Sequence, residues 1–68
     1  MKDWHDNVIE FLNRNDDSFF SAEWLASNFN ITIDIMNDFL DELESLDIVY
    51  HRRIYINLEN KWLYKCVD

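Results

Sequence analysis

Asp34, Asp38 and Asp41 are the residues whose type and spacing most suggest a chemical role. At about 100° per residue they fall, with Ser45, at roughly 140–200° from Met36, on one side of any helix that holds them. A row of carboxylates attracts a cationic surface and repels a phosphate backbone. Asn37 lies among them, and its amide is the one side chain there suited to reading a base edge. A second set is basic: Arg52, Arg53, Lys61 and Lys65 crowd the C-terminal third. Trp24 and Trp62 add large amphipathic rings of the kind that anchor interfaces.

Catalytic signals are weak. His5 and His51 are distant in sequence, Cys66 is the sole cysteine, and no Ser or Cys sits in a recognisable nucleophile motif. Without glycine there is no phosphate-cradling loop, and no Cys/His spacing suits zinc. Acidic neighbours such as Asp16-Asp17 and Asp41-Glu42 read as solvated surface. The expectation is a protein that is not an enzyme and takes no cofactor and no metal. His51, beside Arg52 and Arg53, reads as an ordinary solvated or packed histidine before it reads as a pH-tuned tip, and Cys66 as a small apolar residue on the last strand.

These groups need elements to position them. Trp4, Val8, Phe11 and Leu12 recur at helical spacing, which predicts a first helix over about 3–13, with Asp3 and Asp6 near its positive end. The polar run 13–17 reads as a loop and Ser18-Phe19-Phe20 as a stub of strand. Ser21 suits the N-cap of a second helix over 22–29, with Ala22, Leu25, Ala26 and Phe29 on its buried face and Trp24 nearly opposite. Asn30 stands where the helix end needs left-handed geometry. Thr32 caps a third helix over 33–46, with Met36, Phe39, Leu40, Leu43 and Leu46 as its apolar stripe. After Asp47 the pattern becomes extended. Segments 48–58 and 62–67 read as two strands turning at Leu58-Glu59-Asn60-Lys61, with a shorter hairpin turning near Arg52-Arg53 as the competing register.

The 68 residues are 49% apolar and include three Trp, three Tyr and five Phe, enough for one core and too few for two, so 1–68 reads as a single domain. Fourteen acids against six bases give a net charge of −8, and twelve of those acids precede Ile48. The result is an acidic body with a basic C-terminal hairpin. No run reaches the roughly 20 apolar residues of a membrane span, and the first residues lack a signal-peptide layout. A cytoplasmic protein without a membrane partner is expected, which makes Asn30-Ile31-Thr32 a chance sequon. Cores this small usually gain from a second subunit or a partner, so a homodimer or a protein complex is expected too.

Phe19-Phe20-Ser21-Ala22-Glu23-Trp24-Leu25-Ala26, Ile31-Thr32, and Leu40, Leu43, Leu46-Asp47-Ile48-Val49 together resemble the core of winged helix-turn-helix proteins. The likeness runs without gaps from Leu25 to Val49, with Asn30 and Asp47 where that family usually has glycine. It implies an α+β domain, a small winged helix-turn-helix of three helices and a C-terminal β-hairpin. A plain three-helix bundle is the rival, and the β-branched and aromatic C-terminal third argues against it.

In DNA-binding members of that family the third helix enters the major groove. The corresponding positions here are Ile33, Asp34, Asn37, Asp38 and Asp41. A carboxylate about 4 Å from a phosphate is opposed by roughly 1 kcal/mol in bulk-like water and about 4 kcal/mol at an effective dielectric near 20. The leading expectation is therefore a winged-helix regulatory module that binds a protein partner, of the transcription machinery in the manner of small phage-type regulators. Its contact set would be Trp24, Asp34, Asn37, Asp38, Asp41, Arg52, Arg53, Lys61 and Trp62. The alternative is a dimeric DNA-binding regulator using the basic wing and Asn37. A third reading is an acidic DNA mimic.

Overall fold

The computed structural model describes residues 3–67, in the order α1 (Trp4–Arg14), β1 (Phe20–Ser21), α2 (Ala22–Phe29), α3 (Ile33–Ser45), β2 (Val49–Ile56) and β3 (Glu59–Cys66). Asp3 starts α1 by accepting from the backbone N–H groups of His5 at 3.0 Å and Asp6 at 3.2 Å. Val8 and Leu12, one turn apart, carry its buried face, with Trp4 and Phe11 half-buried beside the core. Ser21 caps α2 by accepting from the Trp24 N–H at 3.0 Å. Thr32 occupies the corresponding position before α3 but makes no capping bond through its side chain.

Asn30 and Asp47 both take a φ of 60°, the left-handed conformation that the two glycine-like positions demand. After each, the chain closes its helix in the same way. Ile31 N–H donates to the Ala26 carbonyl and Ile48 N–H to the Leu43 carbonyl, both at 2.9 Å. One expectation fails here. Leu46 is 62% exposed and no part of the core. The helix stops at Ser45, and Leu46, at φ −91° and ψ 5°, leaves the angular series that carries Met36, Phe39, Leu40 and Leu43 inward.

The strands form an antiparallel sheet in the order β1-β3-β2. Pairing in the hairpin runs from Val49↔Cys66 to Ile56↔Glu59 and turns at Asn57-Leu58. Both expected turns are thereby corrected: the chain reverses before Glu59 and well beyond Arg52-Arg53. Asn57 and Leu58 have φ of 52° and 65°, the paired left-handed residues of the tight turn whose twist matches that of the strands. β1 pairs with β3 over Phe20↔Tyr64 and Ser21↔Leu63. The core lies between the three helices and the base of the hairpin, where Leu12, Leu25, Met36, Leu40, Val8 and Val49 are fully buried. Cys66 is buried among them, its Sγ 2.9 Å from Asn13 Oδ1. The arrangement is the α+β one: three helices, and a hairpin walling the core.

Candidate functional site

The third helix keeps its acids in solvent. Asp34, Asp38, Asp41 and Ser45 are exposed, as their angular positions require, and Asn37 is half-buried beside them. None of the ion pairs among the described residues involves these aspartates. Two isoleucines flank the acidic ridge: Ile33, 40% exposed, and Ile35, 50% exposed. Ile35 lies with Trp4, Phe39, Asp38 and Glu42 in a shallow depression toward α1. Ile33 opens into a larger groove, about 550 Å³, between α3, the start of α2 and β3.

That groove gathers part of the expected contact set. Asn37, Asp41, Lys61 and Trp62 line it, together with Ile33 and Glu23. Glu23, Glu59, Asn60 and Tyr64 are groove residues that sequence reasoning missed, because only the β1-β3 pairing carries the hairpin to the start of α2. The wall at Trp62 is built by a row of contacts. Glu44 Oε2 accepts the backbone N–H of His51 at 3.0 Å and lies 2.5 Å from its Nδ1. The His51 ring stacks on Trp62 at 4.5 Å, and the Arg53 guanidinium lies 4.9 Å from the centre of the same indole. His51 is thus part-buried in mid-strand, tying the hairpin to α3. Burial raises the Tyr64 phenol above its ordinary value of 10.0, with Asp41 and Glu44 adding to the effect.

The basic candidates divide between the two faces of the hairpin. Strand alternation puts Arg52, Lys61 and Lys65 on one side of the hairpin and Arg53 with Trp62 on the other. Lys61, at the open edge of β3, also lines the groove. On the outer side the Lys65 ammonium sits 5.4 Å from the centre of the Phe19 ring. Trp24 is 43% exposed, but its ring packs 5.1 Å from Phe20 and 5.6 Å from Phe11, away from the groove. Among the described residues no three His, Cys, Asp or Glu side chains converge as metal ligands would, and no helix is long and apolar enough to cross a membrane.

No protein-family model matches this sequence, and neither does any curated protein. The fold, however, recurs. A possible transcriptional regulator from Methanosarcina mazei Go1 superposes with a TM-score of 0.86 over 100% of this chain, at 12% sequence identity. This chain spans 57% of that protein's length. At such identity the likeness speaks for the fold alone: a small α+β domain of winged-helix-like topology.

Proposed function

We propose that this chain is a winged-helix regulatory module that binds a protein partner through the exposed acidic face of α3. The single observation that carries the reading is the placement of Asp34, Asp38 and Asp41 in solvent, on the helix that a DNA reader of this fold would press against phosphates. Three carboxylates there repel a duplex and attract a basic protein surface. The fold shared with a possible transcriptional regulator is in keeping with a regulatory role, and a component of the transcription machinery is the partner this reading puts forward.

Replacing all three by Asn is the test. Association with the partner recovered from the source cell slows, and the difference between wild type and variant shrinks as salt rises. Stability changes by no more than about 0.5 kcal/mol, because the side chains are exposed and away from the core. Non-specific affinity for a labelled duplex increases in the variant. Tight sequence-selective duplex binding by the wild type, lost in Asn37→Ala or Arg52→Ala, would replace this reading with that of a wing-dependent DNA-binding regulator.

A further inference from the structure

We infer that the groove between α3 and β3 is a strand-addition site, which takes an extended segment of the protein partner carrying basic side chains at alternate positions. The inference deepens the proposed reading of α3 and rests on it.

The first observation is an open sheet edge. β1 covers β3 only at Tyr64 and Leu63, because the chain turns into α2 at Ala22. From Glu59 to Trp62, β3 continues for four residues with no strand on that side among the described residues. The direction of its backbone groups follows from pairing. The His51 N–H points away from β3, to Glu44, so the backbone groups of its partner Tyr64 point to the β1 side. By the two-residue alternation those of Asn60 and Trp62 point the same way, into the groove. Main-chain pairing of this kind supplies affinity to an added strand, and side-chain pockets supply selectivity.

The second observation is the charge and chemistry of the walls. The groove is lined by three carboxylates, Glu23, Asp41 and Glu59, against one ammonium, Lys61. Ile33 and Trp62 add apolar surface. A lysine or arginine on the inward side of an added strand lays its aliphatic stem along Ile33 and Trp62 and carries its charge to Asp41 and Glu23. An acidic or phosphorylated segment meets repulsion at the same place.

The probe is a five-residue peptide of alternating arginine and valine, acetylated and amidated, titrated into the full chain and followed by amide NMR. The expected result is movement of the Asn60 and Trp62 amide signals and of the Trp62 indole, with slower exchange of those two amide protons. Glu23→Gln combined with Asp41→Asn weakens binding about tenfold. The same peptide N-methylated at alternate residues, unable to pair along one edge, does not bind there. Equal binding by the methylated peptide, shifts spread over Asp34 and Asp38 instead of the groove, or no binding overturns the inference. Partner association that depends on Asp34 and Asp38 while the groove amides stay still would fail this site and leave the acidic-face reading standing. Peptide binding in the groove, with partner association weakened by Glu23→Gln and Asp41→Asn but indifferent to Asp34 and Asp38, would do the reverse.

Discussion

Among the described residues, four without glycine's freedom hold positive φ: Asn30, Asp47, Asn57 and Leu58. For Asn and Asp the left-handed region is tolerable, but a leucine there crowds its Cβ against the following carbonyl at a cost of roughly 1 kcal/mol or more. Leu58 is 84% exposed, so it recovers little by packing. Leu58→Gly is therefore expected to raise stability by about 1 kcal/mol, read as a higher urea midpoint at unchanged slope. Asp3 gives a second residue-scale outcome. The backbone N–H of Asp6 is the main cause that holds its carboxyl below 3.8, with His5 contributing. A carboxylate whose folded value is depressed stabilises the fold above its unfolded value, and that contribution vanishes as pH falls through the folded one. Between about pH 5 and pH 2, Asp3→Ala should lose less stability than wild type, in paired denaturant titrations.

Among the elements, α2 was the most legible from sequence, because its signals are local: a serine that caps, four apolar residues on one face, an asparagine that ends it. α3 was legible except at its last residue. The helical angle series placed Leu46 inward, and the left-handed Asp47 with its closing bonds ended the helix just before it. Leu43→Ala is expected to cost about 2–5 kcal/mol, while Leu46→Ala changes stability by no more than about 0.5 kcal/mol, both measured by thermal or urea unfolding. The hairpin's existence could be read from its alternating β-branched and aromatic residues, but its register could not. Leu58 carries no turn signal, so the polar run at Glu59-Asn60-Lys61 drew the expected reversal into what is the second strand. The ridge of Asp34, Asp38 and Asp41 followed from helical geometry alone. Its neighbouring groove did not, since Glu23 meets Asn60 and Trp62 only through long-range pairing.

At the scale of the whole molecule, the acidic ridge belongs to the helix that packs on one side of the hairpin, while Arg52 and Lys65 occupy the other. Trp24 belongs to neither. With its ring on Phe11 and Phe20, Trp24→Ala removes native packing, so it is expected to lower stability as well as any association it supports; unfolding of the isolated chain separates the two effects. The pairing of Phe20 with Tyr64 joins the segments lying farthest apart along the chain of any in the sheet. Closing so large a loop carries an entropic penalty that the short turn at Asn57-Leu58 and the α2-α3 corner do not face. Helices and hairpin can therefore assemble before β1 zips onto β3, and β1 is expected to be the first part of the sheet to detach in the native state. Hydrogen exchange would register this as weaker protection at Phe20 and Tyr64 than at Leu40 in α3 or at Arg52, which pairs with Leu63 in the hairpin ladder, marking a local opening cheaper than global unfolding.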